Sequence, residues 1–223
     1  MPCWQSLQKK QQMRVSKFLF LVNLLVSTFN TVIAQSDHLE PTLGIFNIYD
    51  YQFEYYSNVR KILFDGLTDT PEIRFLKMPS FTPENVLDIE YDRTSNNYYL
   101  IFHICEKMIW DNDKWKKTKV IKVRKIITKK SVDLIKELFE KAIMQVQYPK
   151  EVTRGLDGEN YYFSIYKNGI KSGKIWSPDQ GTRMHRLVEI GNMLIELSKS
   201  NLEPVEFNAT FKEDIIKLTN ELK

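Results

Sequence analysis

The spacing of apolar residues predicts where this chain forms helices. Four stretches repeat their apolar residues every three to four positions, as amphipathic helices do: 50–64, 131–146, 182–199 and 210–222. The first should end at Asp65-Gly66, because glycine commonly terminates a helix. We expect Ser131 and Thr210 to cap the second and fourth helices.

Strands are predicted where β-branched and other apolar residues alternate with polar ones or run together in short segments. Such segments are 73–78, 86–91, 98–105, 119–127 and a hairpin within 155–178. Short turns join consecutive strands, which favours antiparallel pairing. We therefore expect an α+β fold, with an antiparallel sheet built from hairpins and helices packed on one face.

The hairpin "GLDGENYYFSIYKNGIKSGKIWSP" (155–178) has the most specific turn signal. Asn168-Gly169 suits a two-residue type I′ turn. Both central positions of this turn need a positive φ, which Asn and Gly adopt more readily than other residues. Counting outward places Tyr161 opposite Trp176 on the apolar face, and we expect Trp176 to be buried. If the stretch binds a partner, the candidates lie on the other face or at its rim: Arg154, Tyr162, Tyr166 and Lys171.

The first 34 residues have the pattern of a signal peptide. Four basic residues and no acidic ones precede an apolar run from 18 to 34, and Val32 and Ala34 flank a suitable cleavage point. Polar residues interrupt the run, so it would make a poor membrane span, although an uncleaved anchor is the alternative. We expect a periplasmic or secreted protein without a stable span after leader removal. Residues 35–223 then form a single domain, with 35–49 a loose lead-in.

Removal of the leader changes the charge balance. The whole chain has 32 basic and 28 acidic residues; with the four leader cations removed, 28 of each sign remain. This balance argues against a nucleic-acid partner. The basic run 114–130 fits a solvated edge strand, and the alternative is a surface for an anionic polymer or lipid headgroup. The candidate anion-binding residues are Lys116, Lys117, Lys119, Lys122 and Arg124.

Catalytic signals are sparse. No GxSxG, HExxH, P-loop or dinucleotide-binding glycine pattern occurs. Two imidazole–carboxylate groupings could serve a hydrolase: His103 with Asp88 or Glu90 on the neighbouring strand, and His185 with Glu189 one helical turn away. We favour a structural role for both: a surface ion pair for His185, and a core or cross-strand histidine for His103. Cys105 is the one cysteine after the leader, so we expect no disulfide and no Cys/His zinc cluster. We also expect no cofactor and no metal site.

One segment resembles a known group of proteins. The residues "GLDGENYYF", then "GKIWSP", then a helix starting near Arg183, resemble exported bacterial proteins with an LDGxxYxF…WSP motif. The resemblance covers about 155–198, with a weaker similarity at 62–76. It implies an α+β envelope or secreted protein. The group has no established activity, so it implies no catalytic residue.

These features favour an exported, non-enzymatic binding protein whose partner is another envelope or secreted protein. The alternatives are an envelope hydrolase that uses one of the His–carboxylate pairs, and an anionic-polymer or lipid-headgroup binder that uses the basic strand.

Overall fold

The computed structural model of this chain describes residues 37–42, 53–110, 118–149 and 157–222. The strands are β1 (Glu40–Pro41), β2 (Ile73–Pro79), β3 (Asn85–Asp92), β4 (Asn97–Cys105), β5 (Val120–Ile127), β6 (Glu159–Tyr166) and β7 (Ile170–Trp176). The helices are α1 (Phe53–Leu63), α2 (Lys129–Met144), α3 (Arg183–Lys199) and α4 (Ala209–Glu221). The described residues all belong to one compact unit.

All seven strands form a single sheet in the order β1-β7-β6-β2-β3-β4-β5, and all neighbouring strands are antiparallel. The predicted α+β class is therefore confirmed. The basic strand β5 is an edge strand, as its lysine pattern suggested. The opposite edge is β1, which lies in the segment expected to be loose. Leu39, next to β1, is fully buried and ties that segment to the core.

One face of the sheet carries the main hydrophobic core, under α2, α3 and α4. Phe75 of β2 and Phe163 of β6 lie side by side at its centre, with ring centroids 5.0 Å apart. On α3, a Cβ at Gly191 would lie 2.5 Å from the Phe75 ring. Only glycine therefore lets α3 approach the sheet this closely.

The other face is covered in part by α1. Its buried residues Tyr56, Val59 and Leu63 join Leu76 of β2 and Tyr162 of β6 in a second, smaller cluster. The helix ends as predicted, with Gly66 at a φ of 86°. The sheet thus has helices on both faces: α2, α3 and α4 on one, as the prediction of a single helical face requires, and α1 on the other.

The predicted two-residue turn of the β6–β7 hairpin is wrong. Asn168 and Gly169 do have positive φ values, 55° and 114°. However, Tyr166 pairs with Ile170, so Lys167 joins them in a three-residue loop. The N–H of Lys167 donates to the Gly169 carbonyl at 2.9 Å. The turn residues were predicted, but the loop length was not.

This extra loop residue shifts every cross-strand pair by one position. Tyr161 lies opposite Ile175, not Trp176. Because side chains alternate along a strand, the slip moves Trp176 to the α1 face, where it is half-buried rather than buried. Lys171 pairs with Ile165 and so belongs to the face opposite Tyr162.

Two helix caps also differ from the prediction. The N-cap of α2 is Thr128, whose hydroxyl accepts from the Ser131 N–H. Ser131 lies buried in the first turn instead, and its hydroxyl accepts from the N–H of Phe207 at 3.2 Å. The N-cap of α4 is Asn208 rather than Thr210. In both cases an equally good capping residue stands two or three positions upstream.

Candidate functional site

A cleft of about 270 Å³ lies on the α1 face of the sheet, and we refer to it as the aromatic cleft. The residues that line it come from separate parts of the chain: Tyr55, Tyr56, the segment 78–81, Trp110, Asp157 and Asn160. Proteins commonly bind ligands in concave sites that combine aromatic surface with convergent polar groups, and this cleft is lined by both kinds of residue. A broader, more open depression elsewhere is lined by residues of α4 alone.

The aromatic walls of the cleft are held by mutual ring contacts. Tyr55 packs against Tyr56 at 5.5 Å between centroids, and edge-on against Trp110 at 4.9 Å. Edge-to-face contacts of this kind stabilise a fixed ring orientation. The outer rings stay accessible to solvent: Phe81 is 72% exposed and Trp110 is 56% exposed. Trp110 therefore offers a ring held by Tyr55 to a binding partner, and Phe81 adds further exposed aromatic surface.

A buried carboxylate forms the support beneath these rings. Glu84 is 1% exposed and accepts from the Tyr55 hydroxyl at 2.8 Å and from the Ile109 N–H at 2.9 Å. Burial, reinforced by Glu84, raises the pKa of the Tyr55 phenol, so this hydroxyl stays a donor. Glu84 thus joins α1 to the residue that precedes Trp110, and it positions the rings of Tyr55 and Trp110.

The acidic rim of the cleft is fixed by Ser80. The Ser80 hydroxyl donates to the Gly158 carbonyl at 2.6 Å, and the backbone N–H of Ser80 donates to the same oxygen at 3.1 Å. A Cβ on Gly158 would lie 2.4 Å from Nε1 of Trp176, so the half-buried Trp176 packs directly on this backbone. These contacts hold the adjacent Asp157 at the mouth of the cleft.

The chain matches no protein-family model, no curated protein and no solved structure. The resemblance of 155–198 to exported bacterial proteins therefore stays a prediction. Of the helices in the described part of the chain, none is both long and apolar enough to cross a membrane. Over the same residues, no three His, Cys, Asp or Glu side chains come together as a metal site would require.

A buried ion pair lies on the same sheet face. Arg74 donates through Nε to Oδ1 of Asp88 at 2.8 Å and through Nη2 to Oδ2 at 2.6 Å. Its guanidinium also donates to the Thr68 carbonyl and stacks 4.2 Å from the centroid of Phe64. Burial raises the pKa of the Asp88 carboxyl, and Arg74 opposes that shift. Asp88 is therefore part of the architecture.

The structure does not support the predicted grouping of His103 with Asp88 or Glu90. His103 is 3% exposed, and its Nδ1 lies 2.7 Å from the carbonyl oxygen of Leu63. Because a carbonyl can only accept, Nδ1 carries the proton. Asp88 is bound by Arg74, and Glu90 accepts from the backbone N–H of Thr68. His103 ties the end of α1 to the sheet.

His103 also makes stability depend on pH. Burial lowers the pKa of its imidazole below the usual 6.5, so the unfolded chain takes up this proton more readily than the folded one. The contribution of neutral His103 to the free energy of unfolding is therefore complete above about pH 6.5, and it is lost as the pH falls through the pKa of His103 in the folded protein. We expect His103→Asn, which keeps an N–H for Leu63, to remove this acid-side loss. Urea unfolding at pH 7.5 and 5.0 measures it.

The matched control is His185→Asn, which should leave the acid-side loss intact, because His185 is partly exposed beside Glu189 at 3.5 Å. Identical pH dependence for wild type and His103→Asn would contradict this role of His103.

The two remaining candidate groups have structural explanations. The His185–Glu189 distance fits a surface i,i+4 pair, which contributes only a few tenths of a kcal/mol. Cys105 is buried, and burial raises the pKa of its thiol to about 12, which leaves it unreactive.

The hairpin candidates are not brought together on one surface. Tyr162 is 4% exposed and packs in the cluster beneath α1. Tyr166 is exposed at the end of β6. Lys171 lies across the sheet, near the sulfur of Met144. Arg154 lies outside the described residues. A patch built from these four side chains is therefore not formed by the described part of the hairpin.

Part of the basic-strand candidate set is neutralised within the protein. Lys122 donates to Oδ2 of Asp65 at 2.9 Å, and Arg124 lies 3.5 Å from the centroid of Tyr99 and 3.5 Å from a carboxylate oxygen of Asp92. Lys119 is exposed. Lys116 and Lys117 fall outside the described residues. An anion at Lys122 or Arg124 would have to compete with these carboxylates.

Sequence reasoning missed the aromatic cleft and most of its residues. Phe81 and Trp110 are large aromatics outside the predicted strands and helices, and that placement was a usable signal. Asp157-Gly158 is typical of a turn, so the sequence alone gives Asp157 a structural role. Glu84 gave no signal, because a glutamate beside Pro83 in a loop is indistinguishable from a solvated residue.

Proposed function

We propose that this protein is an exported, non-enzymatic binding protein that recognises another envelope or secreted protein through the aromatic cleft. The observation that carries the proposal is the exposure of Phe81 and Trp110 around a preformed concavity. Aromatic side chains dominate the energetics of protein interfaces, and anchors of this kind cluster where one partner inserts into a pocket of the other. Export is supported by the basic and apolar pattern of residues 1–34.

The competing hydrolase function has less support. A general base must reach a substrate proton and keep a free lone pair for it. His103 is buried against a backbone carbonyl, and Asp88 is held by Arg74. His185 is accessible, but its partner Glu189 lies on the solvated face of α3. The described residues therefore favour binding over turnover.

Photo-crosslinking from the rim of the cleft tests this function. A benzoylphenylalanine in place of Phe81, in the full chain expressed by its native host, should yield an adduct with one protein of discrete mass. The same residue in place of Tyr148 is the matched control, because Tyr148 is 82% exposed and does not line the cleft. We expect no equivalent adduct there.

Equal adducts from both positions would contradict a specific site in the cleft. Recovery of polysaccharide or lipid instead of protein would contradict the choice of partner and favour the anionic-polymer alternative.

A further inference from the structure

We infer that the aromatic cleft accepts a basic side chain, arginine or lysine, from the partner protein. This inference rests on the proposed function and specifies the chemistry of the contact. It is carried by the charge of the cleft together with its aromatic walls.

Asp157 supplies the charge. It is exposed at the mouth of the cleft, and among the described residues it has neither an ion-pair partner nor a side-chain hydrogen bond. None of the described residues that line the cleft is basic. Acidic side chains elsewhere in the fold are widely paired, as with Asp88, Asp65 and Asp37. A carboxylate left unpaired beside a cleft is complementary to an incoming cation.

The aromatic rings favour the same ligand. A cation placed over the face of Trp or Tyr is attracted by the negative potential of the ring, and arginine makes this contact more often than lysine. The fold already uses this interaction internally: Arg74 lies 4.2 Å from the ring centroid of Phe64, and Arg124 lies 3.5 Å from that of Tyr99. Asp157 and the rings line the same cleft, and a guanidinium is suited to both, because it donates hydrogen bonds to carboxylates and stacks on aromatic faces.

The size and the rim of the cleft favour a side chain on a protein over a free cation. A volume of about 270 Å³ lies at the lower end for ligand pockets and suits one side chain. Phe81 and Trp110 extend apolar surface beyond the pocket, where backbone and neighbouring side chains of a partner would pack.

Two isosteric probes separate charge from shape. N-butylguanidinium and N-butylurea have nearly the same size, but only the first is a cation. We expect butylguanidinium to shift the Trp110 indole N–H resonance saturably in NMR spectra of the full chain, and butylurea to shift it much less. Asp157→Asn should weaken butylguanidinium binding about fivefold. Asp179→Asn, which changes another exposed aspartate, should leave it unchanged.

Equal binding of the urea would overturn the inference, as would full affinity in Asp157→Asn. A maltose titration that shifts Trp110 while butylguanidinium does not would also overturn it, in favour of a carbohydrate ligand. If butylguanidinium fails to bind while the Phe81 adduct still forms, the inference fails and the proposed function stands. If both experiments fail, both are wrong.

Discussion

Arg74→Met is expected to lower the free energy of unfolding by about 3–5 kcal/mol, as is typical when one member of a buried ion pair is removed. Asp88 is fully buried, and Arg74 donates to both of its carboxylate oxygens. Methionine fills part of the volume beside Phe64 but leaves the carboxyl without a cation. Urea unfolding followed by circular dichroism at pH 7 measures the loss.

Arg60→Met is the matched control, because Arg60 and Asp69 form an exposed pair at 3.7 Å. It should change stability by less than about 0.5 kcal/mol. The double variant Arg74→Met/Asp88→Leu should recover much of the loss, since a buried apolar pair can replace a buried ion pair. If Arg74→Met costs no more than Arg60→Met, the pair is not buried as described.

Glu84→Met is expected to lower the free energy of unfolding by about 3 kcal/mol, because hydrogen bonds to charged groups contribute about 1.5–3 kcal/mol each. The substitution removes the acceptor of both the Tyr55 hydroxyl and the Ile109 N–H. It should also weaken partner binding, although Glu84 is too deeply buried to touch a partner. Unfolding and affinity are measured on the same preparation.

The conservative variant Glu84→Gln separates geometry from charge. A glutamine can accept from the Ile109 N–H and donate to the Tyr55 oxygen, so it should retain most of the stability and most of the binding. Loss of binding in Glu84→Gln with full stability would contradict a positioning role and indicate that the negative charge itself matters.

The polar groups on the α1 face share one role. His103 bonds the carbonyl of Leu63 at the end of α1, and Arg74 bonds the carbonyl of Thr68 a few residues later. Glu84 bonds Tyr55 near the start of the helix. Buried hydrogen bonds of this kind specify a unique arrangement more sharply than apolar contacts do. They fix where α1 crosses the sheet, and with it the walls of the cleft.

Local patterns were enough to predict most of the sheet. Alternation defined β3, an apolar run defined β4, and the β-branched run defined β5. Local patterns failed where contacts between residues distant in sequence determine the structure. The apolar stripe of α1 requires a sheet face but does not say which one. Arg74 in "IRFLKM" alternates like a solvated residue, yet α1 covers that side.

The cleft was beyond local patterns for a related reason. Its walls come from α1, from the end of β2, from Trp110 and from the turn before β6. The pairing of β2 with β6 brings two of these together, because Pro79 lies opposite Glu159. No short-range spacing encodes that pairing. The hairpin error had a smaller cause: one extra loop residue, which reverses the face of every side chain in β7.

Affinity for the protein captured through position 81 tests the central claim most directly. Calorimetric titration should show that Trp110→Ala binds about 30-fold more weakly than the wild type, as expected for an anchor that contributes about 2 kcal/mol. Tyr148→Ala, which also truncates an exposed aromatic side chain but lies outside the cleft, should bind with wild-type affinity. Undiminished affinity of folded Trp110→Ala would contradict the assignment of the cleft as the binding site.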